Sequence, residues 1–404
     1  MRSPIDNIPT EIIQAIIDEV PASSPDLLSL RTVDRLLHRM ATPNAFRRIR
    51  VGNNLTEVKG LKSIQESRDI SKLVEQLIFD DRNDHEFNVG PHRNDCEVAT
   101  PLYVYINTEQ NQDDYNDLEY RRLQGCLESA IPDLDQFSQL NTLSIEFWPT
   151  WKAQSSMTVQ EHCSQFSARQ LKLLDALYST KPPPSLTSLS ITNLCLLYRR
   201  PDNFRRHPSL GVASRLTDLT INLLSDDEHA KVSGKDDRPI VYGPRDYLPP
   251  SWAPLQSFTL RSPRGLFHTH DICPHGLFYP RLTSLSLQNI SLGRPSSAGS
   301  MISFITLHKA TLQTLEIISC PIIISGDMLC FWSDIWNRFA TELTALLTIT
   351  VAPPQGPTML DLGYTTFVKD KEFETYLVSP IRVNSDRLAL KRFEEVVEVR
   401  RRGI

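Results

Sequence analysis

The sequence is short of glycine. Its 404 residues include 15 Gly against 28 Pro, so Gly-rich loops that cradle phosphates have little material to form from. No GxGxxG, GxSxG or HExxH occurs, and Gly234-Lys235 lacks the upstream Gly that a P-loop needs. No catalytic residue and no cofactor is therefore assigned. The seven cysteines (Cys96, Cys126, Cys163, Cys195, Cys273, Cys320 and Cys330) are odd in number, widely spaced and without a CxxC pair. That usage predicts reduced thiols rather than a disulfide framework. No apolar run approaches the length of a membrane span. Asp6, Glu11 and Asp18 interrupt any basic-then-apolar leader pattern. An excess of positive charge is missing too: the formal net charge is −5, which gives no bulk attraction for nucleic acid. We expect a soluble intracellular protein, cytoplasmic or nuclear, with neither membrane nor nucleic acid as a partner.

Hydrophobic residues at 40% and charged residues at 23% are ordinary globular usage, and the length suits two or three domains or one repeat array. The stretch from Ser3 to Pro21 reads SPIDNIPTEIIQAIIDEVP. Ile12, Ile13, Ile16, Ile17 and Val20 follow helical spacing and make one apolar face. Pro9 suits the first helical position, Glu11 suits the positive end of the helix dipole, and Pro21 closes the element. Ser24 then caps a second segment with Pro25 at its first position. Leu27, Leu30, Val33, Leu37 and Met40 keep a helical stripe up to Pro43, with a break near Asp34. A strand-like FRRIRV follows. Helices this short bury only a small core of their own.

From Ile8 to about Ile49 these residues resemble an F-box. The text IPTEIIQAIIDEVP…DLLSLRTVDRLLHRMATPNAFRRI has the apolar-Pro start and an acidic residue two positions on. The Asp-Leu-Leu-x-Leu-Arg core follows, then the Val before a second polar helix. Ile8 stands where Leu is commoner and Phe46 where many members carry Trp, both with apolar bulk kept. The resemblance implies docking on the Skp-type adaptor of a cullin–RING ubiquitin ligase. Matched residue by residue, Ile8, Pro9, Ile12, Ile13, Ile16, Leu27, Leu28, Leu30 and Val33 would fill a groove on that adaptor. The alternative is that they pack on the domain that follows.

The body of the chain repeats a short pattern, apolar-x-x-apolar-x-apolar, seen in LNTLSIEF, LTSLSITNL, LTDLTINLL, LQSFTLRS, LTSLSLQNISL, LQTLEIISC and, more weakly, LTALLTITV. It is the strand segment of a leucine-rich repeat. The middle apolar residues are Leu143, Leu189, Leu219, Phe258, Leu285, Leu315 and Leu346, with Leu77 marking an earlier strand. Helical text lies between several of them, notably SARQLKLLDALYS, SAGSMISFITLHKA and GDMLCFWSDIWNRFATE. The expected architecture is a small all-α F-box followed by an α/β leucine-rich-repeat-like solenoid, a curved parallel sheet with outer helices. The expected divisions are the F-box at 4–50, a connecting segment at 51–72, the irregular repeats at 73–380 and a C-terminal capping helix at 381–404.

Strand alternation turns the residues beside each marker outward. Thr142, Ser144, Ser188, Ser190, Thr220, Asn222, Thr259, Arg261, Ser286, Gln288 and Glu316 form this candidate substrate face. It reads equally well as a solvated sheet face. Residues 80–117 are polar and acidic, a solvated insertion with one strand-like LYVYI. The Pro- and aromatic-rich loop from Ser225 to Pro254 offers Tyr242, Tyr247 and Trp252 as anchors, for a partner or for neighbouring helices. HTHDICPH places His268, His270, Cys273 and His275 within eight residues. Imidazole and thiolate suit zinc, but one tight loop strains a four-ligand site, so a surface loop is preferred and no metal is assigned. A helix from about Asp386 closes the chain, with Arg400 to Arg402 near its end.

Three functions follow. The first is a substrate-recognition subunit of an SCF-type ubiquitin ligase, binding the Skp-type adaptor and an unknown protein substrate, without chemistry of its own. The second is an interaction scaffold that uses the F-box outside ubiquitin transfer. The third is a metal-binding protein or hydrolase at 268–275.

Overall fold

The structure is a computed structural model. It describes residues 8–21, 24–53, 55–80, 131–147, most of 170–194, 211–223, 253–266, 277–292, 300–324, 330–352, 364–367, 373–375 and 380–403. Nine strands form one sheet in chain order apart from a skipped ninth strand, and its registered pairings are parallel. With the helices between them this is an α/β arrangement. Among the described residues no helix is long and apolar enough to cross a membrane. The chain divides into two compact units, Met1–Trp148 with Thr180–Ser188, and Pro149–Ser179 with Leu189–Ile404.

The first unit opens with three helices, α1 (Thr10–Glu19), α2 (Pro25–Val33) and α3 (Arg35–Arg47). Pro9 is the residue before α1, not its first helical position. The Ser24 hydroxyl accepts from the Asp26 amide at 3.2 Å and starts α2, with Pro25 just inside. Asp34, extended at φ −154°, ends α2 and caps α3 by accepting from the Leu37 amide at 2.9 Å. The expected break therefore falls at Asp34. Pro43 does not end the element as expected but lies inside α3. It sits on the exposed side, where water can satisfy the carbonyl it leaves without a partner, and Ala45 beyond it still packs on the core. Ile13, Ile17, Leu27, Leu37, Met40 and Ala41 make that small core.

After α3 come β1 (Arg48–Gly52), α4 (Leu55–Glu66), α5 (Arg68–Ser71), β2 (Gln76–Asp80) and β3 (Thr142–Glu146). Ile49 pairs with Leu77 and Leu77 with Leu143, so Leu77 is the expected marker and Ile49 an unforeseen one. On the opposite side of these strands Arg50 reaches Asp80 and Glu146, each at 2.6 Å, and ties three strands together.

The second unit holds β5 (Asp218–Leu223), β6 (Ser257–Leu266), β7 (Ser284–Ile290), β8 (Thr314–Ile318) and β10 (Thr348–Ala352), and β4 (Ser188–Leu194) has all but its first residue there. Leu219, Phe258, Leu285 and Leu315 stand in one buried row. Each adds about 1.5–3 kcal/mol by burial. The fifth member of the row is Ile349, not Leu346. Leu346 lies in the turn after the preceding helix, and the Leu347 and Thr348 amides, donating to the Gln313 carbonyl, set the strand three residues later than expected. Three strands end alike: Asn193, Asn289 and Ser319, each four residues beyond its marker, have φ of 61°, 55° and 54°. Asparagine tolerates this left-handed backbone because its short polar side chain bonds locally. Here the Asn289 side-chain amide reaches across to the neighbouring strand and donates to the Ser262 carbonyl at 2.8 Å. A second, three-stranded sheet joins β9 (Ile322–Ile324), β11 (Tyr364–Phe367) and β12 (Phe373–Thr375).

α6 (Met301–Leu307) lays Phe304 edge-on against Phe258 at 6.4 Å, beneath the apolar row. Just beyond it His308 is buried; its Nε2 accepts from the Tyr279 amide at 3.0 Å, and its Nδ1 lies 2.8 Å from the Phe304 carbonyl. The second contact must donate and the first must accept, so the ring is neutral with its proton on Nδ1. α7 (Trp332–Glu342) and α8 (Pro380–Arg401) pack side by side. Trp336 lies 5.9 Å from Phe393. Asp386, buried, accepts from the Ser333 amide at 2.8 Å at the start of α7 and from the Tyr364 hydroxyl. Arg400 donates to the Leu343 and Ala340 carbonyls at 2.7 and 2.6 Å at its end. The two helices thus run in the same direction. α8 places a carboxylate at the positive end of α7 and a guanidinium at the negative end, which offsets the repulsion of parallel dipoles. The C-terminal helix starts at Pro380, earlier than Asp386.

Two outcomes follow for the second unit. Asp386→Ala leaves the Ser333 amide and Tyr364 hydroxyl without their buried acceptor and costs about 2–4 kcal/mol in urea unfolding, whereas exposed Leu388→Ala stays within about 0.5 kcal/mol. Burial lowers the His308 pKa from its ordinary 6.5. Above that value both states are neutral and the contribution is full. As pH falls below 6.5 the unfolded chain takes the proton first, so stability is lost by at most about 1.4 kcal/mol per pH unit. His308→Gln removes this component of the fall in Tm between pH 7.5 and pH 5.5.

Candidate functional site

In α1 four isoleucines divide by helical geometry. Ile13 and Ile17, one turn apart, enter the three-helix core at 5% and 1% exposure. Ile12 and Ile16, also one turn apart, face outward at 51% and 57%. The single apolar face expected of α1 is thus two stripes, one packed and one bare. α2 shows the same division: Leu27 is fully buried, Leu30 is half-buried against the core, and Leu28 and Val33 are half or more exposed. Ile8 and Pro9, just ahead of α1, are exposed as well.

Six of the nine residues expected to dock are therefore available on the surface: Ile8, Pro9, Ile12, Ile16, Leu28 and Val33. Ile13 and Leu27 are corrected to core residues, because a three-helix unit this small has no other source of interior. The sequence carries a signal for the division. In α1, 13 and 17 lie about 100° round the helix from 12 and 16, and an apolar arc that wide exceeds what one small core covers.

On the other flank of α1 a shallow groove against α3 is lined by Thr10, Glu11, Gln14, Ala15, Asp18, Arg39, Met40 and Pro43. Asn44 and Gln14 donate to Asp18 at 2.9 and 2.8 Å and hold its carboxyl below the usual range. The first helix thus offers an aliphatic flank and a polar flank on either side of its buried stripe.

The outward strand positions sit where the alternation put them. Thr142 and Ser144 are half-exposed in the first unit. In the second, one row runs Thr220, Thr259, Ser286, Glu316 and Thr350, and the next runs Asn222, Arg261, Gln288 and Ile318. Ser188 and Ser190 are half-exposed on β4. Ser286 donates to Glu316 across adjacent strands, and Asn222 to Thr192 at 3.3 Å. The rows are hydroxyl and amide in character, with few charges.

His268, His270, Cys273 and His275 lie outside the described residues, as do the acidic insertion beyond Asp80, LYVYI, and the anchors Tyr242, Tyr247 and Trp252. Among the described residues no group of three or more His, Cys, Asp or Glu side chains could hold a metal ion. Burial pushes the Cys320 and Cys330 thiols up to about 12 and about 11, which favours the protonated thiol at neutral pH.

The division within α1 sets a stability contrast. Ile13→Ala costs about 2–4 kcal/mol of core packing, whereas Ile12→Ala and Ile16→Ala stay within about 0.5 kcal/mol, as read from chemical unfolding monitored in the N-terminal helices. No protein-family model matches the chain, and no curated protein matches it.

Proposed function

We propose that this chain is a substrate-recognition subunit of an SCF-type ubiquitin ligase. Its N-terminal helices would form an F-box that docks on a Skp-type adaptor, and its repeats a curved solenoid whose outward strand positions receive a protein substrate. One observation carries the reading. Of the ten exposed large hydrophobic side chains among the described residues, five (Ile8, Ile12, Ile16, Leu28 and Val33) fall within the first 33 residues. Ile12, Ile16, Leu28 and Val33 stand on helices that keep a separate, packed core, and Ile8 lies just ahead of the first of them. A folded surface that leaves this much aliphatic area bare in so short a span fits a partner's groove better than water.

The mechanism is proximity. Holding a substrate and the ligase on one chain raises the effective concentration of the acceptor lysine near the transferred ubiquitin. The chain needs no nucleophile, base or metal for that task. Of the residues implied by the resemblance, Ile8, Pro9, Ile12, Ile16, Leu28 and Val33 would make the contact, while Ile13 and Leu27 would hold the helices that present them.

The test is binding of the full chain to a purified Skp-type adaptor by biolayer interferometry. Ile12→Glu/Ile16→Glu and Leu28→Glu each weaken binding by tenfold or more, about 1.4 kcal/mol or above, with the unfolding midpoint unchanged. Absence of binding by the unmodified chain, or equal binding by the variants, overturns the reading.

A further inference from the structure

We propose that the sheet face of the second unit selects an extended protein segment carrying an acidic and a basic side chain four residues apart, held by Arg261 and Glu316. The inference rests on the repeats being the substrate-receiving part of the chain, and it adds the chemistry of what they receive.

Among its described outward positions the face carries three charges: Asp218 at the start of β5, which accepts from the Thr217 hydroxyl at 2.7 Å, and Arg261 and Glu316 farther along. Arg261, on β6, is exposed, and among the described residues it makes no ion pair or hydrogen bond. Glu316, on β8, is half-buried; its one partner is the neutral Ser286 hydroxyl, and no basic group of the described residues pairs with it. Strand register fixes their relation. Thr259, Ser286 and Glu316 share one row, and Arg261 and Gln288 the next row on the same side. The two charges are thus two strands and two residues apart. At strand spacings of about 4.8 Å and a rise of about 3.3 Å per residue, their Cα atoms lie about 12 Å from one another.

Two opposite charges at that distance do not neutralise each other directly. Ser286 and Gln288 between them supply only neutral donors and acceptors. A partner satisfies both at once if it brings a carboxylate to Arg261 and a cation to Glu316. An extended segment covers about 13 Å in four residues, and period-two alternation keeps residues i and i+4 on one side. A separation of three or five turns one of the two side chains away. Nucleic acid fits poorly, since its uniform negative charge meets Glu316 as repulsion. Arg261 can grip a carboxylate with two parallel hydrogen bonds, so it should dominate the pairing.

The experiment uses the full chain on an array of synthetic ten-residue peptides of Ser, Thr and Gly, each with one Glu and one Arg at separations of one to six in both orders. Signal is expected to peak at a separation of four. Arg261→Glu and Glu316→Arg each lower that peak by about tenfold, and the double charge swap restores it. Signal that is flat with separation, or unchanged by either single reversal, overturns the proposal. Adaptor binding, measured in parallel on the same variants, separates the two claims. Its loss by the unmodified chain removes the ligase reading, whereas a flat array with adaptor binding intact removes only the Arg261–Glu316 inference.

Discussion

The in-register parallel ladder is the constraint on which the rest of this structure depends. A one-residue slip of any strand would turn its apolar marker to water and its hydroxyls into the interior. The buried row of Leu219, Phe258, Leu285 and Leu315 therefore fixes both sides of the sheet at once. Register places Glu316 beside Ser286 and sets Arg261 two strands away, although neither side chain contributes to the core. The left-handed residues Asn193, Asn289 and Ser319 close β4, β7 and β8 at one common position, four residues beyond the marker of each strand.

The N-terminal helices obey a different economy. Six core residues are all that three short helices enclose, and the sequence supplies more aliphatic side chains than that interior accepts. The surplus is not scattered. It appears as outward pairs on α1 and α2 next to inward pairs on the same helices. Capping by Ser24 and Asp34 sets the helix starts without help from those outward residues, which leaves them free of any structural duty. The surface is thus separable from the fold that carries it, and that separation is what makes the docking proposal open to point substitution.

Much of this was legible in the sequence because it is local. Strand markers repeat within six residues, and Ser24-Pro25 and Asp34 announce helix boundaries by their own chemistry. What stayed hidden depends on partners far along the chain. Leu343-x-x-Leu346 imitates the strand pattern, and only pairing with Gln313 and Leu315 shows that the strand begins at Thr348. Pro43 has the look of a terminator, yet an exposed position lets α3 run through it. Asp386 reads as an ordinary helix-start residue, but its role lies 53 residues back, at the Ser333 amide. For the candidate docking residues, type and spacing were visible from the start. Which of them face inward was not, because Ile12 and Ile13 are the same residue and differ only in what α3 covers.

The most direct measurement is hydrogen–deuterium exchange of the full chain with and without a purified Skp-type adaptor. The account predicts added protection confined to residues 8–33, with the strands from β5 to β10 unchanged. Protection that falls on the sheet instead, or none anywhere in the chain at saturating adaptor, would contradict it.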